Sequence, residues 1–103
     1  MSKIVNFTRR FDKNMQACFI GKGQQARFRE HIDIIKENPL IGETKQGYLK
    51  KKKVRVYKFT FDKKHYLLAY VFFADKELII CLDIGVHENF YDRLEDYLKG
   101  INL

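Results

Sequence analysis

A chain of 103 residues, 46% of them hydrophobic and 15% aromatic, is one domain over residues 1–103 with enough apolar bulk to fill a single core, which excludes a disordered segment. No run of about 18 apolar residues occurs, so no membrane contact is expected, and the start Met1-Ser2-Lys3-Ile4-Val5-Asn6 lacks a signal-peptide core, which predicts a cytoplasmic protein. Twenty Lys and Arg against thirteen Asp and Glu leave a formal charge of +7, which favours a polyanionic partner (nucleic acid, ribosome or acidic protein) through counterion release.

Ile4 to Phe7 reads as a short opening strand, with Thr8 placed to cap the helix that follows. Phe11, Met15, Cys18 and Phe19 recur at helical spacing, and Gly21-Lys22-Gly23 breaks the pattern. A second helix runs from Gln24 to Glu37, with Phe28, Ile32 and Ile35 on one face, and Asn38-Pro39 stops it because the residue before proline is pushed out of the helical region. Residues 38–50 read as a polar connection. Three apolar runs follow, Val54 to Phe61, Tyr66 to Ala74 and Leu78 to Ile84, and their short joints predict antiparallel neighbours. The last strand ends at Gly85, and His87 or Glu88 opens a final helix whose apolar face is Phe90, Leu94, Tyr97 and Leu98. The order β-α-α-β-β-β-α predicts an α+β fold: a small antiparallel sheet with a two-helix N-terminal hairpin packed on one face and the opposite face open.

Extending the second strand back to Lys51 would set Lys51, Lys53, Arg55 and Tyr57 on one face and Val54 and Val56 on the other. With helices over the valines, a row of cations and a ring would face phosphates and stacked bases, fed by Lys50 and Lys52. Four consecutive lysines also read as a solvated loop. His87, just past a strand end, sits where an imidazole can act as acid or base, and Tyr91 falls four residues on, on the same side of the helix. His65 reads as a surface turn residue and His31 as structural or exposed. Three isolated histidines without ligand spacing predict no metal, and no cofactor motif is present. Cys18 and Cys81 read as free thiols in apolar surroundings. Any chemistry must therefore come from basic side chains plus His or Tyr, the set needed to cleave RNA at its own 2′-hydroxyl.

Three segments carry a family resemblance: Glu37-Asn38-Pro39-Leu40-Ile41-Gly42, Tyr66-Leu67-Leu68-Ala69-Tyr70, and Ile84-Gly85-x-His87-Glu88-Asn89-Phe90-Tyr91. In this order they resemble the RelE/ParE superfamily of toxins from type II toxin–antitoxin systems, over most of the chain. The resemblance implies a cognate antitoxin partner and one of two activities. RelE-like members cut messenger RNA on the ribosome; ParE-like members poison DNA gyrase without nuclease chemistry. A non-catalytic basic interaction domain is a third reading. Carried over by position, Lys53 and Arg55 match a basic pair that stabilises the scissile phosphate, His87 matches the late acid or base, and Tyr91 approximates the late tyrosine. Lys50, Lys51, Lys52, Tyr57 and Lys58 fall to RNA or ribosome binding. The family's middle strand commonly carries arginine where this chain has Leu67, with Lys58 as a substitute cation, and that departure bears on catalysis more than on fold.

Overall fold

In the computed structural model, which describes residues 3–101, β1 (Ile4–Phe7) leads directly into α1 (Arg9–Cys18). Thr8 caps the helix as its position predicts: its hydroxyl accepts the Phe11 amide at 3.0 Å and donates to the Leu82 carbonyl at 2.9 Å. The break between helices falls at Phe19–Ile20, earlier than the glycines suggest, and Gly21, with φ +87°, already opens α2 (Gly21–Glu37). The cause is Phe19, whose fully buried ring stacks on Phe28 at 4.7 Å and turns the backbone inward. The exposed backbone groups at this bend are satisfied by two glutamines: Gln24 Oε1 accepts from the Ile20 amide, and the Gln25 side chain donates to the Phe19 carbonyl.

Residues 38–50 are more ordered than a connection. They hold β2 (Glu43–Thr44) and one helical turn, α3 (Tyr48–Lys51), both too short to show a period. Tertiary contacts fix them. The buried Tyr70 hydroxyl donates to the Pro39 carbonyl at 2.6 Å and accepts the Gly42 amide at 2.9 Å. A Cβ on Gly42 would meet the Tyr70 ring at 2.8 Å, so the approach requires glycine.

The meander is β3 (Arg55–Phe61), β4 (Lys64–Phe73) and β5 (Leu78–Val86), and α4 (Phe90–Lys99) closes the fold. Asp62 and Lys63, with φ of 48° and 68°, form the tight turn between β3 and β4. The sheet order is β1-β5-β4-β3-β2, antiparallel throughout except that β1 runs parallel to β5.

Helices cover both faces, which corrects the expected open face. Beneath α1 and α2 lies a core of Phe11, Phe19, Phe28, Phe59, Tyr66, Leu68 and Tyr70. Beneath α3 and α4 lies a second, with Leu49, Val54, Val56, Leu67, Ala69, Phe90 and Leu94. The unbroken burial of Tyr66 to Val71 reflects this, because a strand buried on both sides loses its alternation.

One buried charge ties the two halves together. Asp83, 3% exposed at a bulge in β5, accepts from Arg10 Nε at 2.9 Å, Asn14 Nδ2 at 2.6 Å and the Ile84 amide at 2.8 Å. Asp83→Ala strands all three donors. We expect it to cost about 2 kcal/mol, below the full penalty for a broken buried pair because Arg10 keeps access to water, and to appear as a lower urea midpoint.

Candidate active site

Register brings together residues that the sequence scatters. Thr60 stands opposite His65 and Lys58 opposite Leu67 in the β3–β4 ladder; Leu67 faces Gly85 and Tyr66 faces Val86 in the β4–β5 ladder. His87 therefore continues the row that begins with Thr60 and His65. With Phe59 and Tyr66, the side chains of Lys58, Thr60, His65, Leu67 and His87 line a cavity of about 390 Å³. Both histidines and Lys58 are exposed, and among the described residues no carboxylate lines the cavity. The first residue of α4, Phe90, packs 3.5 Å from the position of a Gly85 Cβ, so the helix begins at the cavity border.

Each imidazole is held by one neighbour. Thr60 Oγ1 lies 3.2 Å from His65 Nδ1, which leaves Nε2 for a ligand. The His87 ring packs edge-on against Tyr91 at 5.7 Å, following the turn in which Asn89 takes φ 57°. Tyr91 is braced in turn by Lys45, whose ammonium lies 5.4 Å from the ring centroid and 3.3 Å from Glu43 Oε2. Partial burial pulls the Lys45 pKa down, but Glu43 and Tyr91 outweigh it and hold it above its ordinary value, so the cation is secure. The Tyr91 hydroxyl is buried without a hydrogen-bond partner among the described residues.

The expected basic pair does not reach this cavity. Lys53, with φ 61°, sits in the turn before β3 and not on the strand, so it shares no face with Arg55. Arg55 itself is committed to structure: its Nη1 donates to the carbonyls of Gly42 at 2.8 Å and Leu40 at 3.3 Å. Tyr57 lies under the helical hairpin, where its hydroxyl meets His31 Nδ1 at 2.9 Å. Burial lowers the His31 pKa and keeps the ring neutral, so this histidine is structural. Lys50 and Lys51 belong to α3 and line a separate depression with Gly47 and Tyr48, while Lys52 lies over the Tyr48 ring at 5.7 Å. Of the expected residues, the fold gathers His87, Tyr91 and Lys58.

His65, Thr60 and Lys45 were not singled out by the sequence reading. A signal existed for the first two. A two-residue turn at Asp62-Lys63 forces Phe61 opposite Lys64, hence Thr60 opposite His65 and Lys58 opposite Leu67. Nothing in the sequence marks Lys45, which directly follows a strand only two residues long.

A family model for the ParE-like toxin of type II bacterial toxin–antitoxin systems matches residues 5–95. No curated protein matches the chain. Among solved structures, a mutant of the Escherichia coli toxin RelE in the free state is similar at TM-score 0.68 and 17% identity, over 95% of this chain and 99% of that one. The toxin–antitoxin complex RelBE2 from Mycobacterium tuberculosis gives a TM-score of 0.67 at 14% identity, over 84% and 100% of the two chains. The archaeal RelE–RelB complex from Pyrococcus horikoshii gives 0.56 at 20% identity, over 85% and 98%. At these identities the likeness is one of fold.

Proposed function

This chain belongs to the ParE-like toxins of type II toxin–antitoxin systems, within the RelE/ParE superfamily that its sequence resembles, and from that premise we propose that it is an endoribonuclease that cuts messenger RNA at the ribosome and so inhibits translation. The observation that carries this reading is one cavity lined by two exposed imidazoles and a lysine, with no carboxylate among the described residues. Two histidines can divide the work of transesterification between them. His65, its Nδ1 engaged by Thr60 Oγ1, takes the 2′-hydroxyl proton on Nε2. The 2′-oxygen attacks phosphorus, and the bond from phosphorus to the 5′-oxygen breaks. His87, protonated, gives its proton to that leaving oxygen, so the products are a 2′,3′-cyclic phosphate and a 5′-hydroxyl. Lys58 stabilises the charge that builds on the phosphorane. Tyr91 holds the His87 ring through its edge-on contact, while its own hydroxyl is buried. No step requires a metal or cofactor.

The partner that restrains such a toxin is a cognate antitoxin. Supporting this, similar folds occur in RelB-bound complexes from Escherichia coli, Mycobacterium tuberculosis and Pyrococcus horikoshii. The cytoplasm is the compartment where mRNA and ribosomes meet the protein.

A gyrase-directed toxin without nuclease chemistry is the second reading. Leu67 favours it, because an apolar side chain stands between Lys58 and Gly85 at the centre of the cavity row. Induction in bacteria separates the two. We expect new 5′ ends within translated messages, unchanged DNA supercoiling, and cleavage that persists in chelator but stops when the substrate carries 2′-O-methyl groups. Intact messages with altered supercoiling would overturn the nuclease reading.

A further inference from the structure

A second cationic depression lies between α1 and α4, lined by Arg9, Arg10, Lys13, Asn14 and Arg93, with a volume of about 390 Å³. Its charges are largely unspent. Among the described residues, Arg9, Lys13 and Arg93 reach no carboxylate. Arg10 is paired through Nε to Asp83, and its guanidinium lies over the Tyr97 ring at 4.8 Å, which fixes it while its terminal nitrogens make no hydrogen bond among the described residues. A guanidinium already held in place loses little freedom on binding an anion.

Arg93 links this groove to the cavity. Its Nη2 lies 3.7 Å from the position of a Gly85 Cβ and 3.4 Å from the carbonyl of Glu88, the residue after His87. Leu67, opposite Gly85, lines the cavity itself. The groove thus begins where the cavity ends.

We propose that the α1–α4 groove binds the backbone phosphates of a single-stranded nucleic acid held next to the cavity; the choice of RNA rests on the cleavage reading above, whereas the groove does not. The lining favours phosphate over an acidic peptide. Among the described residues it carries no apolar side chain, so the anchors of a peptide would find no pocket, whereas phosphate contacts need only placed charge.

The test is binding of a fluorescein-labelled RNA oligonucleotide bearing 2′-O-methyl groups, followed by anisotropy across salt concentrations. The triple variant Arg9→Ala/Lys13→Ala/Arg93→Ala is expected to bind about 10- to 100-fold more weakly near 50 mM salt. Its salt slope should fall by about 2, since each lost contact to a single strand removes about 0.7. The control triple Lys22→Ala/Lys36→Ala/Lys76→Ala removes the same net charge and is expected to lose no more than about threefold, as charge off the groove acts only at long range. Equal losses in the two triples, with circular dichroism showing both folded, overturn the proposal. So does a polyglutamate peptide that outbinds the RNA and depends on the groove residues. If unmodified RNA is never cut while the groove triple still loses binding, the cleavage reading falls and the groove stands.

Discussion

Replacing either His65 or His87 by alanine is expected to lower kcat for RNA cleavage by about 10²- to 10⁴-fold, with KM changed little. Each imidazole transfers a proton in the rate-determining displacement, and neither carries the binding energy of the strand. The double variant should be little worse than the worse single, since the two act in one step. Lys58→Ala is expected to cost about 10²- to 10³-fold in the same assay, the usual penalty for removing one donor from a developing oxyanion. Full rates in both histidine variants, measured on ribosome-bound message, would remove the two-histidine mechanism. Arg55→Ala should behave differently. Its side chain serves the carbonyls of Leu40 and Gly42, so the loss should appear in stability and not as a selective fall in kcat.

Phe19→Ala is expected to be the most damaging single change to the fold, at about 3–5 kcal/mol. The ring is wholly buried, stacks on Phe28 at 4.7 Å, meets Phe61 edge-on at 4.7 Å and lies 5.0 Å from Tyr66. Its loss removes aromatic contacts to α2, β3 and β4 together and leaves a cavity at the bend between the helices. A domain of this size holds about 5–15 kcal/mol in total, so the variant should unfold at a much lower denaturant concentration or fail to fold at 37 °C. Phe19→Leu, which refills much of the volume, should recover a large part of the loss. A midpoint for Phe19→Ala close to wild type would show that the helical hairpin docks without it.

The fold was legible because its signals are long. Phe28, Ile32 and Ile35 repeat over a 17-residue helix, and three apolar runs with tight joints admit little but a meander. What the sequence concealed was mostly short or remote. A two-residue strand and a four-residue helix have no period to read: Tyr70 and Arg55 hold the segment that leads into the strand, and buried Leu49 anchors the helix. The candidate site was half legible. His87 and Tyr91 are four residues apart, so local geometry joins them, whereas His65 reaches the same cavity through strand pairing. Lys53 and Arg55 were misplaced for different reasons. The left-handed Lys53 lies off the strand, whereas Arg55 keeps the expected face, with Tyr57 and opposite Lys58, but the helical hairpin covers that face. The side on which the hairpin packs therefore decides which cations meet the histidines.

The parallel pairing of β1 with β5 also sets an order of events during synthesis. Ile4 to Phe7 find their partners only at Leu78 to Cys81, and the cap at Thr8 is completed by the Leu82 carbonyl. Closing a loop of that length precedes any gain from the contacts it makes. A nascent chain still missing these residues cannot seat its first strand, so the toxin fold completes only after most of the polypeptide has left the exit tunnel. A cell thus has the whole translation time of the chain in which to supply whatever is to restrain it.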